Sequence, residues 1–310
     1  MKKKIFITGI SGCVGHYLFD VLANNPDYEL YLLTRNPRKI RSEYHTNPNI
    51  EIIRGELKNI ERHSDLIKQM DIVIHMAAIW GEQEGNLDYS LDLFKLLNPE
   101  KCKKVIYFST ASILDTNNQP LKEAEKLGTH YIRGKYLFYK KLPELNIHPN
   151  VITLFPTWVL GGDHRHPYSH ASAGMLRMQS WLWLIRFFTI DASFHFIHAR
   201  DIANIVKYLL ENETQERNFV LGNRPITVSK FVKETCHFFK KRVYFQIPIF
   251  LPLVKMLAFL TNRKLHPWDL FCFEKRHFQH KTVSTEYFGL KSELQSVEQI
   301  LSDLVRSKGV

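Results

Sequence analysis

Thr8-Gly9-Ile10-Ser11-Gly12-Cys13-Val14-Gly15 is the stretch whose reading decides the fold. On its amino-terminal side lies the β-branched and aromatic run Ile5-Phe6-Ile7, and beyond it Tyr17, Leu18, Val21 and Leu22 recur with helical spacing. Strand, glycine turn and helix follow in that order. After the punctuation of Asn24-Asn25-Pro26-Asp27, a second apolar run, Leu30-Tyr31-Leu32-Leu33, closes a βαβ unit. Glycines allow positive φ and close backbone approach, and the helix that follows offers free N–H groups and the positive end of its dipole. Such a turn between strand and helix suits a dinucleotide pyrophosphate. Thr8, Gly9, Ser11, Gly12, Cys13, Val14 and Gly15 are therefore the expected cradle.

The residues after the second strand bear on which dinucleotide. A carboxylate there holds a ribose 2′-hydroxyl, whereas an arginine accommodates a 2′-phosphate. The chain reads Thr34-Arg35-Asn36-Pro37-Arg38-Lys39, with no carboxylate and three cations. Arg35 and Arg38 point to NADP rather than NAD.

Further strands are expected at Ile50 to Ile53, Asp71 to His75, Lys104 to Phe108 and Val151 to Phe155, separated by helical patterns. That alternation predicts an α/β chain with a Rossmann-type, doubly wound parallel sheet. A chain of 310 residues with 45% hydrophobic content can bury a substantial core. The four cysteines (Cys13, Cys102, Cys236, Cys272) lie far apart, which suits reduced thiols in a cytoplasmic protein. Polar residues from Thr8 to Gly12 interrupt any secretory apolar run. The net charge of +11 favours anionic ligands or an acidic membrane surface, and no nucleic-acid recognition motif accompanies it.

The fifth strand runs into Ser109-Thr110-Ala111-Ser112, and Tyr131-Ile132-Arg133-Gly134-Lys135 follows in a helical context. Residues four apart share a helix face. A tyrosine normally titrates near pH 10, and an adjacent ammonium would lower that value. Tyr131 could then protonate a carbonyl oxygen while the Thr110 hydroxyl holds it, with Ser109 or Ser112 as substitutes.

The ordered set of Thr8 to Gly15, Gly55-Glu56-Leu57, His75-Met76-Ala77-Ala78, Ser109-Thr110, Tyr131 with Lys135, and His198-Ala199-Arg200-Asp201 resembles the extended short-chain dehydrogenase/reductase family, which is NAD(P)-dependent and epimerase/dehydratase-like. The chain is most similar in feel to its hydroxysteroid dehydrogenase and ketoreductase branches. The resemblance implies that Glu56 and Leu57 border the adenine, and that Ala77, with Ala78 beside it, borders the dinucleotide. It places Thr110 and Tyr131 at the reacting oxygen, Lys135 at the nicotinamide ribose, and Pro156 and Val159 beside the nicotinamide. His198 and Asp201 are expected to fix a helix. It further implies a dinucleotide-binding domain over residues 1–162, also receiving about 192–222, and a smaller substrate lobe from 163–191 and 223–310. The chain departs from sugar-nucleotide members at Trp158, where many carry an asparagine beside the proline. It departs from sugar dehydratases at Ala111-Ser112, which lack the acid and base of that elimination. Leu114-Asp115 replaces the usual Tyr-Gly ending.

Two apolar stretches remain. Met175 to Phe188, with Trp181 and Trp183, reads as buried core or the wall of a greasy pocket. Val243 to Leu260 is broken by Pro248, Pro252 and Lys255, too short for a spanning helix, and reads as buried lid or lobe core, or as an interfacial patch beside Lys240, Lys241 and Arg242. His164, His166 and His170 read as loop histidines rather than a metal site. Trp80, Ser112, Trp158 and Trp181 are the candidate substrate contacts. The sequence thus predicts an NADP(H)-dependent oxidoreductase interconverting a ketone and a secondary alcohol on an apolar small molecule, with a peripheral membrane contact and a homodimer both compatible. A nucleotide-sugar epimerase with tightly bound NAD and a non-catalytic NADP-binding redox sensor are the alternatives.

Overall fold

A computed structural model describes residues 2–79, 85–260 and 264–306. Seven parallel strands build its central sheet: β1 (Lys3–Thr8), β2 (Tyr28–Thr34), β3 (Ile50–Arg54), β4 (Ile72–His75), β5 (Lys104–Phe108), β6 (Val151–Pro156) and β7 (Asn218–Leu221). Across the sheet they run β7-β6-β5-β4-β1-β2-β3. The chain winds outward from β1 to β3 and then crosses back to β4 on the other side of β1. The gap this leaves at the carboxyl ends of β1 and β4 is where ligands of such sheets bind.

Period-two alternation distributes the strand residues between two cores. Ile5, Ile7, Leu30, Leu32, Ile72 and Ile74 face one side, packed under α1 (Cys13–Leu22) and the long helix Ala199–Glu211. Phe6, Tyr31, Leu33, Val73, Val105 and Tyr107 face the other, under the helices Gly85–Lys95 and His130–Lys141. Both faces are buried, so the strands read as nearly continuous apolar runs.

The later chain adds a smaller layer. Trp158–Leu160 pairs with Phe196–His198, and Ser193–Phe194 pairs with Ile226–Thr227. Thr227 accepts the Lys230 N–H as the cap of helix Val228–Phe238, which packs against Val297–Arg306 around Phe231, Ile300 and Leu301. His198 likewise caps its helix by accepting the Arg200 N–H at 3.1 Å, and Asp201 accepts from Ser292 at 2.7 Å.

Two expectations need correction here. No described residue from Val243 to Leu260 is buried, so this stretch is not lobe core. Met175 and Leu182 are buried, but Trp181 and Trp183 are each 57% exposed and are not core. Apolar content alone did not separate these surfaces from core because burial depends on what packs over a segment, and nothing among the described residues covers these.

Candidate active site

The glycine turn has the geometry of a phosphate cradle. Gly9 sits at φ +81°, and a Cβ there would come within 2.6 Å of the Ala77 nitrogen; one on Gly15 would meet the Ile10 oxygen at 2.4 Å. Only glycine lets the turn close against both the β4 loop and its own helix. Gly12 caps α1 with no side-chain bond, and no acidic residue occupies the first turn. An anion could therefore serve as the cap, so the residues present fit a dinucleotide pyrophosphate. Gly9→Ala is expected to destabilise the fold by about 2 kcal/mol or more and to weaken dinucleotide binding; denaturant melts and a binding titration would show both.

A directional hydrogen-bond chain holds the opposite rim. Burial keeps the His75 ring well below its usual pKa and hence neutral. Ser90 donates to the Asn86 carbonyl at 2.8 Å, so it accepts from His75 Nε2 at 3.0 Å. His75 Nδ1 then accepts from Thr8 Oγ1 at 2.7 Å, and that oxygen receives the Ala77 N–H at 3.4 Å. Asn86 clamps Ile79 from both sides, accepting its N–H at 2.9 Å and donating to its carbonyl at 2.6 Å. The loop through Ala77 and Ala78 is thus fixed by Thr8 and His75 together with Ser90 and Asn86, two residues the sequence reading passed over. Their one signal was Gly134, an isolated glycine within a helix: a Cβ there would lie 2.9 Å from Asn86 Cβ.

Beyond β5, Ser109 is buried and donates its N–H to the Leu154 carbonyl at 2.8 Å. Thr110 follows and donates to Ser112 Oγ at 3.2 Å. Tyr131 and Lys135 project from the helix His130–Lys141, which is capped by Thr129. The Thr110 hydroxyl bonds the Tyr131 phenol, opposing burial, which pushes that phenol up to about 12. Lys135 is 1% exposed, and burial brings its amine down to about 7. Its Nζ donates to the Phe108 carbonyl at 2.8 Å and lies 4.8 Å from the centre of the Tyr107 ring. The expected lowering of Tyr131 by a neighbouring ammonium is therefore not what the geometry produces, because desolvation dominates at both groups. Thr110, Ser112 and Tyr131 do come together, with Lys135 one turn along the same helix.

Other expected residues fall around this centre. Leu57 is buried in the second core, and Glu56 beside it pairs with Lys58 at 2.9 Å. The Lys58 hydrogen bond, then the charges of Lys58 and Arg35, hold the Glu56 carboxyl below its usual range. Arg35 and Arg38 are exposed, and Arg38 lines an open groove of about 540 Å³ with His16, Lys39, Arg41 and Arg165. Pro156 is buried at the end of β6, Val159 packs on the first core, and Trp158 stays 54% exposed with its ring 4.8 Å from Phe194. Trp80 lies outside the described residues. Cys13 is half-buried, and burial pushes its thiol up to about 12, which disfavours the reactive thiolate. His166 is occupied at both ring nitrogens, by Asp163 at 2.7 Å and Asp20 at 2.6 Å, and stacks on Tyr17 at 3.8 Å.

The chain is similar to several known proteins. A UDP-N-acetyl-alpha-D-glucosaminuronate decarboxylase of Bacillus cytotoxicus is 30% identical over 159 residues, covering 46% of this chain and 49% of its own, so the chain spans about half the length of that relative. A decarboxylating sterol-4-alpha-carboxylate 3-dehydrogenase of Dictyostelium discoideum is 23% identical over 303 residues, covering 87% of this chain and 86% of its own. Among solved structures, gox2253 superposes with a TM-score of 0.74 at 18% identity over 99% of both chains. The Bordetella bronchiseptica enzyme WbmG, solved with NAD, gives 0.69 at 14% identity over 100% of this chain and 94% of its own. The family model for the NAD dependent epimerase/dehydratase family matches residues 5–222, from β1 through the end of β7, and the chain belongs to that family.

Proposed function

We propose that this protein is an NADP(H)-dependent oxidoreductase that interconverts a ketone and a secondary alcohol on a largely apolar small molecule. The observation that carries the reading is the meeting of Thr110 and Tyr131 beyond β5, with Lys135 buried one helical turn away. A nicotinamide dinucleotide, when bound, supplies or accepts the hydride. Tyr131, held up near 12, keeps its phenolic proton at neutral pH and is loaded to protonate a carbonyl oxygen. Thr110 supplies a second hydroxyl donor to the same oxygen. Lys135 keeps the helix docked on the end of β5 through the Phe108 carbonyl and would hold the nicotinamide ribose. In the oxidative direction the phenolate form of Tyr131, the one left when it gives up its proton in the reduction, takes the alcohol proton.

The apolar substrate is supported by Trp158 beside Phe194 and by the likeness to a sterol dehydrogenase over 87% of this chain. The preference for NADP is supported by the exposed Arg35 and Arg38 and by the absence of a carboxylate directly after β2. A panel of hydrophobic ketones assayed with NADPH and with NADH tests both. Turnover should require a ketone, run at least about tenfold better with NADPH, and lose that preference in Arg35→Ala/Arg38→Ala.

A nucleotide-sugar epimerase retaining NAD is the second reading, favoured by relatives such as the UDP-glucuronic acid 4-epimerase of Bacillus cereus, solved with NAD. Purified protein carrying stoichiometric NAD and active only on nucleotide sugars would select it. The residues Ala111-Ser112 argue against a sugar dehydratase, since neither can serve as the acid or carboxylate base of that elimination.

A further inference from the structure

The exposed parts of the two apolar stretches meet on one outer face. Ile247 and Pro248 pair with Phe188 and Thr189, through bonds from Ile247 N to the Phe187 carbonyl at 2.7 Å and from Ile249 N to the Thr189 carbonyl at 2.8 Å. The Phe187 and Phe245 rings lie 5.2 Å apart, and Arg186 donates to the Arg242 carbonyl at 3.1 Å. This splice joins the segment bearing Trp181 and Trp183 to the one bearing Phe245, Ile247, Phe250 and Met256, all of which are more than half exposed. Single exposed apolar residues are ordinary, but two neighbouring segments carrying them is a patch that marks an interaction surface.

Charge decides what the patch meets. No aspartate or glutamate occurs between Asp163 and Asp191, nor between Glu234 and Asp269, whereas Arg186, Lys240, Lys241, Arg242 and Lys255 fall inside those intervals. A second copy of the chain would bring two such cationic rims together, which costs energy. An anionic bilayer complements the rim and accepts the aromatic and aliphatic side chains at its interface, where tryptophan and tyrosine reside. The helix Leu251–Leu260 has 10 residues, roughly 15 Å at 1.5 Å per residue, against a hydrocarbon core of about 30 Å. No helix among the described residues is long and apolar enough to cross a membrane, so this one would lie in the interface.

We infer that the face formed by Trp181 to Thr189 and Arg242 to Met256 docks the protein on the surface of an anionic phospholipid bilayer. The inference is independent of the proposed reaction and survives if the substrate proves to be a sugar nucleotide. Its test is co-sedimentation of the full chain with vesicles of phosphatidylcholine alone or mixed with phosphatidylglycerol. The expected result is at least about tenfold stronger partitioning onto the anionic vesicles, weakened by salt, and a comparable loss of it in Phe245→Ser/Phe250→Ser and in Lys240→Ala/Lys241→Ala/Arg242→Ala. These side chains are exposed, so unchanged melting temperatures should confirm that the variants fold. Wild-type protein that stays in the supernatant with both vesicles would overturn the inference. So would binding that survives both sets of substitutions, or a vesicle-indifferent dimer that Phe245→Ser/Phe250→Ser dissociates.

Discussion

Tyr131→Phe is expected to lower turnover by about two to four orders of magnitude while leaving dinucleotide affinity nearly unchanged. The phenylalanine ring keeps the packing of Tyr131 against the third apolar cluster, which includes Ala111 and Ile132. What disappears is one oxygen, the only part of the side chain able to give or take a proton. Thr110 then has no phenol to bond, but it retains Ser112 at 3.2 Å, so its hydroxyl is not stranded. The fold should hold and the melting temperature should move little. Steady-state assays read the first effect, and a fluorescence titration with the dinucleotide reads the second. Turnover that survives the substitution would remove Tyr131 from the chemistry.

That prediction rests on residues the sequence already marked, and the reason is physical. The glycine turn, the strand ends and the Tyr131–Lys135 spacing are local patterns, because a turn needs a particular φ and a helix brings positions four apart onto one face. The doubly wound parallel architecture needed only the alternation of strands and helices, since parallel crossovers leave few arrangements. What the pattern could not give was anything decided between distant segments. Asn86 looks like any surface asparagine until Gly134 brings the neighbouring helix against it. Trp181 and Phe250 look like core until no other segment among the described residues covers them. Lys135 belongs to the same class: spacing placed its amine near the phenol, but only burial shows its hold on a proton weakened, to about 7.

Lys135→Met should therefore abolish most turnover and yet stabilise the fold, and the gain should depend on pH. Burial brings the Lys135 amine from 10.5 in the unfolded chain to about 7 in the folded one. Between those values the unfolded chain binds a proton that the folded chain does not, so wild-type stability rises with pH across that window. Below about 7 both states are protonated and the full cost of burying an ammonium is present; above 10.5 both are neutral and it is gone. Methionine carries no charge and fills a similar volume. Its advantage should be greatest below neutrality, on the order of 1–3 kcal/mol once the lost hydrogen bond to the Phe108 carbonyl is set against the relieved charge. It should shrink steadily as pH climbs toward 10 and can reverse there, because the stranded carbonyl remains after the charge penalty has vanished. Paired denaturant melts of the two proteins at about pH 6 and about pH 9 isolate the effect, since every other titrating group is common to both. A gap of the same size at both values would mean that Lys135 keeps its proton in the folded chain, held by partners stronger than Phe108, and that its amine reaches the substrate site already charged.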